Sequence, residues 1–134
     1  MYKIGVKRRF SAAHKLEGHP GKCARLHGHT WSVQAVFSSL ETDHEGMVMD
    51  FDRVEAMLDE VIGPCDHQYL NEIDPFASLP PTAENVARVF FVWITKLLAD
   101  AGVPVDLDEI TVWESPDSWA SYDGGRREGH GVTV

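Results

Sequence analysis

The sequence predicts an α+β domain in which an antiparallel sheet carries two helices on one face. Three observations predict it. Period-two alternation marks both ends of the chain, two stripes of helical spacing occupy the middle, and no pattern repeats. The expected element order is strand, strand, helix, helix, strand, strand, with residues 1–134 forming one domain.

In the first strand, Ile4, Val6, Phe10, Ala12 and His14 share one parity, with Arg8 as the exception, so a half-buried strand ends on a histidine. A loop rich in Gly, Pro and His runs from Lys15 to Leu26. The second strand alternates more cleanly, since His27, His29, Trp31, Val33, Ala35 and Phe37 all project to one face. After a polar turn, Met47–Met49 forms a short apolar piece. Asp52 with Glu55 three residues on resembles a capping box, and Val54, Met57, Leu58, Val61 and Ile62 supply the buried stripe of a first helix.

Gly63 and Pro64 end that helix, and Cys65 to Pro81 reads as a long irregular connection. Thr82 caps a second helix, where Val86, Val89, Phe90, Trp93, Ile94, Leu97 and Leu98 repeat at helical spacing up to Gly102. Ile110, Val112 and Glu114 share one face of a third strand, and Trp119 to Tyr122 forms a fourth. Trp31, Trp113 and Trp119 lie on strands, so the sheet face without helices is expected to be covered by symmetric self-association.

Composition excludes some functions. The formal net charge of −9 argues against nucleic acid, whose binding rests on clustered Lys and Arg. No run approaches the roughly 20 apolar residues of a membrane span. Two cysteines, Cys23 and Cys65, read as free thiols of a reducing compartment, so a cytoplasmic protein is expected. Between His14 and Arg25 the charge is locally positive, since Lys15, Lys22 and Arg25 outnumber Glu17. A small anionic ligand is compatible with that segment, and so is a solvated loop.

The chemistry concentrates at His27-Gly28-His29. Two residues two apart on a strand point the same way and can place both imidazoles on one metal, and hairpin pairing brings His14 opposite them. Three imidazoles make a zinc set that leaves the fourth position open for chemistry. Cys23, four residues before His27, either closes that set as a structural fourth ligand or stands beside the metal as a base. The sequence leaves both open. Asp66-His67 offers an imidazole supported by a carboxylate, suited to acid catalysis. Glu114 points to an otherwise apolar face, where a carboxylate needs a partner such as a pair of parallel N–H donors. Cys65 reads as a small buried hydrophobe. His19, His44 and His130 read as surface residues without a role.

Five segments carry a resemblance. They are Phe10-Ser11-Ala12-Ala13-His14, Cys23-Ala24-Arg25-Leu26-His27-Gly28-His29, Gly46-Met47-Val48-Met49-Asp50-Phe51, Asp66-His67-Gln68-Tyr69-Leu70-Asn71 and Pro81-Thr82-Ala83-Glu84-Asn85. Together they resemble the 6-pyruvoyl-tetrahydropterin synthase family, over nearly the whole chain. The three residues between Cys23 and His27 resemble its queuosine-pathway branch, which forms 6-carboxy-5,6,7,8-tetrahydropterin.

The resemblance implies a T-fold, active sites at subunit interfaces and a hexamer of two stacked trimers. It implies zinc on His14, His27 and His29, Cys23 as proton acceptor, and His67 with Asp66 as proton relay. Glu114 would anchor the pterin and join that relay, and Thr82 and Glu84 would line the pterin pocket. The implied substrate is 7,8-dihydroneopterin triphosphate, converted without an organic cofactor to 6-carboxytetrahydropterin, acetaldehyde and triphosphate. A pyruvoyl-forming relative with the same site is the nearest alternative. A non-catalytic zinc module closed by Cys23 and a zinc hydrolase are more distant ones.

Overall fold

A computed structural model describes residues 1–125. The reading of His130 as a surface residue lies outside them. The elements in chain order are β1 (Tyr2–His14), β2 (His27–Ser39), α1 (Phe51–Ile62), β3 (Gln68–Tyr69), α2 (Ala83–Ala101), β4 (Asp106–Ser115) and β5 (Ser118–Tyr122). Short 3-10 turns cover Lys22–Ala24 and Leu70–Glu72. The sheet order is β3-β1-β2-β4-β5.

Two expectations are corrected here. The expected all-antiparallel sheet is mixed, because β3 pairs parallel to β1 through Ala12↔Gln68 and Ala13↔Tyr69. A two-residue strand inside the connection after α1 has no alternation to betray it, and it exists because β1 offers an open edge. The first helix is capped by Asp50 rather than Asp52. The Asp50 carboxylate accepts from the Asp52 N–H at 2.9 Å, so the helix begins at Phe51. Thr82 caps α2 as predicted, accepting from the Asn85 N–H at 3.1 Å, and Gly102 ends it with a left-handed φ of 65°.

β1 and β2 form an unbroken antiparallel ladder from Tyr2↔Ser39 to His14↔His27. Because side chains alternate, that register places Phe10, Ala12, Trp31, Val33, Ala35 and Phe37 on one face. There they join Ile110 and Val112 of β4 and the buried stripes of both helices in one core. Trp31 is fully buried on this face, so of the three strand tryptophans only Trp113 and Trp119 remain for the other. Those two are cross-strand partners between β4 and β5, and the Lys7 ammonium lies 4.1 Å from the Trp113 ring. Among the described residues no helix is long and apolar enough to cross a membrane.

Candidate metal centre and active site

The β1–β2 register builds the centre. His14 and His27 stand directly opposite each other, and His29 stands opposite Ala12 on the same face. The ring centroids are 4.6 Å apart for His14 and His27, 5.1 Å for His14 and His29, and 4.8 Å for His27 and His29. Each ring offers a nitrogen to a common space in which these ligand atoms all lie within 4.8 Å of one another.

The hydrogen bonds decide which nitrogens are free. His14 Nδ1 lies 2.8 Å from the Pro81 carbonyl oxygen and His27 Nδ1 lies 2.6 Å from that of Arg25. A carbonyl only accepts, so each ring carries its proton on Nδ1 and leaves an Nε2 lone pair free. His14 Nε2 and His29 Nε2 are buried with no hydrogen-bond partner among the described residues. A buried nitrogen without a partner is costly, and a shared cation satisfies several at once. Burial also lowers the pKa of His14, against raising contributions from the Pro81 carbonyl and from Glu114, and burial lowers that of His29. Lowered values keep both imidazoles neutral, the form that binds metal. The donor set fits zinc with three protein ligands.

Glu114 sits on the same face at the end of β4, its Oε1 3.7 Å from His14 Nε2, and is partly open to solvent. Cys23 lies in the Lys22–Ala24 turn and is half-buried. Among the described residues its sulfur is not part of the cluster of metal-capable atoms, which consists of the three histidines. This disfavours the closed four-ligand site that the sequence left open. Burial pushes the Cys65 thiol up to about 11, consistent with an inert core residue.

Asp66 and His67 are joined to each other but not to the cluster. The Asp66 carboxylate accepts from the Ser11 N–H at 3.0 Å and lies 3.0 Å from His67 Nδ1. The Ser11 bond, followed by the charge of His67, holds the Asp66 pKa below the ordinary aspartate value. His67 adopts a left-handed φ of 60° while its N–H donates to the Ser11 carbonyl at 2.6 Å. Its ring is 80% exposed beside a surface hollow that runs along the strands over Ser11, Ala12, Ala13, Gly28, His29 and Thr30.

A cavity of about 560 Å³ next to His14 is lined by Lys15, His19, Asn71, Phe76, Pro81 and Thr82 among others. Glu84 is exposed in the first turn of α2 and is not among the lining residues. The Thr82 hydroxyl is engaged as the α2 cap. Of the three cations considered for anion binding, Lys15 lines this cavity and pairs with Glu17 at 3.6 Å, while Lys22 and Arg25 are exposed. Sequence reasoning missed the carbonyls of Pro81 and Arg25, which orient two imidazoles. Backbone acceptors carry no residue signature, although a turn placed beside a histidine strand was a weak hint.

Residues 3–125 match the family model for 6-pyruvoyl tetrahydropterin synthase. The chain is 42% identical over 118 residues to a 6-carboxy-5,6,7,8-tetrahydropterin synthase of Synechocystis, covering 84% of this chain and 86% of that one. It is 31% identical over 147 aligned positions to a protein of the same name from Haemophilus influenzae, covering 91% and 99%. The structure is similar to that of Caenorhabditis elegans 6-pyruvoyl tetrahydropterin synthase, with a TM-score of 0.79 and 26% identity over 93% of this chain and 98% of that one. Sequence, T-fold and the strand-borne histidine cluster thus agree, and the chain belongs to the 6-pyruvoyl tetrahydropterin synthase family.

Proposed function

We propose that the protein is a zinc-dependent 6-carboxy-5,6,7,8-tetrahydropterin synthase of queuosine and 7-deazaguanine biosynthesis. It would convert 7,8-dihydroneopterin triphosphate and one water to 6-carboxytetrahydropterin, acetaldehyde and triphosphate by carbon–carbon cleavage. The observation that carries this reading is the pair of buried, unpartnered Nε2 atoms of His14 and His29, facing a third imidazole with Glu114 alongside. The similarity to relatives bearing that product's name, and the three-residue spacer between Cys23 and His27, favour the carboxy-forming branch.

His14, His27 and His29 would hold the ion, which supplies Lewis-acid polarisation of the oxygens on the substrate side chain. The chain's own residues do the rest. Glu114 accepts two parallel N–H donors of the pterin ring and thereby fixes which side-chain carbon lies near the cluster. Cys23, in a loop next to β2, takes the proton from that carbon as its thiolate. Thr82 borders the pocket from the start of α2, and Glu84 stands one residue beyond Ala83.

Asp66 orients His67 through Nδ1, leaving Nε2 to donate a proton to the ring. With its ring 80% exposed, His67 would serve a site shared with a neighbouring subunit. The assembly we propose is a cytoplasmic homo-oligomer, a hexamer of two stacked trimers, with sites between subunits. The exposed Trp119 on the outer edge strand β5 and the tryptophan-bearing second face fit such an assembly.

The test is mass spectrometry of products from zinc-loaded protein and 7,8-dihydroneopterin triphosphate, beside Cys23→Ala and a chelated control. Carboxytetrahydropterin with acetaldehyde, lost in both controls, is expected. A pyruvoyl product would move the chain to the sister branch, and unchanged substrate would overturn the reading.

A further inference from the structure

Asn71 stands outside the residues assigned above, yet both ends of its amide are committed to one backbone residue. Its Oδ1 accepts the Lys15 N–H at 2.9 Å, and its Nδ2 donates to the Lys15 carbonyl at 2.9 Å. A side-chain amide bonded in this way does the work of a peptide group in a neighbouring strand. β3 itself reaches only as far as Ala13↔Tyr69 before the chain turns through Leu70–Glu72. Asn71 therefore carries the pairing of β1 past the end of β3.

Lys15 lies between two groups of the site. On one side is His14. On the other, the Leu16 N–H donates to the Cys23 carbonyl at 2.9 Å. The Lys22–Ala24 turn has no side-chain cap and no buried residue. It is tied to the strands by that bond and by the bond between His27 Nδ1 and the Arg25 carbonyl. His14 has an anchor of its own in the Pro81 carbonyl. Releasing Lys15 would consequently free the thiol turn far more than the imidazole.

We propose that Asn71 is a positioning residue that, by clamping Lys15 to the end of β3, fixes where the Cys23 thiol stands relative to the histidine cluster. The proposal rests on the reading of Cys23 as the proton acceptor. It also gives the segment that carries Asp66 and His67 a second task, since the same short stretch that presents an exposed imidazole braces the thiol loop of its own chain.

The experiment compares wild type with Asn71→Asp, which keeps the acceptor and the volume but removes the donor, and with Asn71→Ala, which removes both. Asn71→Ala serves if the carboxylate variant does not fold. In each, zinc affinity is measured by chelator competition, amide exchange at Leu16 by hydrogen exchange, and alkylation of Cys23 by mass spectrometry, alongside kcat and KM.

The expected result is faster exchange at Leu16, severalfold faster alkylation of Cys23, and kcat lowered about 10–100-fold with KM and zinc affinity little changed. Unchanged exchange and alkylation in a folded variant would overturn the proposal. So would a loss of zinc affinity and melting temperature that accounts for the fall in kcat, because that marks a general role in the fold. If wild type does not turn over the pterin, the proposed function fails, while exchange and alkylation still decide the role of Asn71.

Discussion

His14 and His27 face each other directly across the last rung of the β1–β2 ladder, with ring centroids 4.6 Å apart. Each turns its Nδ1 outward to a backbone carbonyl, so the pair is oriented from both sides before any ligand arrives. His27→Ala removes a half-buried ring and is expected to leave the melting temperature of the metal-free protein nearly unchanged. Zinc affinity should fall by more than the roughly 10–100-fold that loss of a supporting residue costs. Chelator competition and thermal melting on the same preparations measure both.

Glu114 approaches the cluster without belonging to it. Glu114→Gln keeps the shape but removes the charge and turns one acceptor into a donor, which a pterin's N–H groups would meet with repulsion. Charge-assisted hydrogen bonds contribute about 1.5–3 kcal/mol each, so kcat/KM is expected to fall about 10–100-fold while one zinc per chain remains bound. Steady-state kinetics with metal analysis tests this, and loss of the metal would mean that Glu114 serves the cluster rather than the substrate.

The two thiols differ in environment. Cys65 is fully buried and its thiol is pushed up to about 11, whereas Cys23 is half-buried in a short turn. Iodoacetamide at pH 8 is therefore expected to modify Cys23 in the folded protein and to reach Cys65 only after denaturation. Peptide mass spectrometry distinguishes the two sites.

Asp66 gives a pH dependence of stability with a definite sign. Its folded pKa lies below the ordinary value of 3.8, with the Ser11 N–H as the largest cause. Between those two values the unfolded chain binds more protons than the folded one, so stability falls as pH falls. The contribution is complete above about pH 5 and is lost through the acid range. Asp66→Asn should flatten the dependence of melting temperature on pH below about 4 relative to wild type, and parallel slopes would count against the Ser11 contact.

Much of this architecture was legible because strand parity is a strict code. His14, His27 and His29 share a face with Phe10, Trp31 and Val33, and any register that buries the apolar set also gathers the imidazoles. Thr82 and Gly102 mark the ends of α2 by chemistry local to each end. The Asp50 cap was harder, since Asp50 and Asp52 both suit the position and packing of the apolar stripe decides between them. β3 was invisible for a different reason: two residues have no period, and their pairing depends on an edge of β1 more than fifty positions away. The same distance hid the Ser11 bond that fixes Asp66. Asn71 was quoted as part of a motif, but its role depends on a backbone contact that residue type does not reveal.

The proposed centre holds one zinc on three histidines, with a position left open and the Cys23 sulfur outside the set. X-ray absorption at the zinc edge of the loaded protein tests it most directly. The expected first shell is nitrogen and oxygen only, fitted by three imidazoles and one light atom at about 2.0–2.1 Å. A sulfur scatterer at about 2.3 Å would instead place Cys23 on the metal and close the site, which rules out an open three-histidine centre.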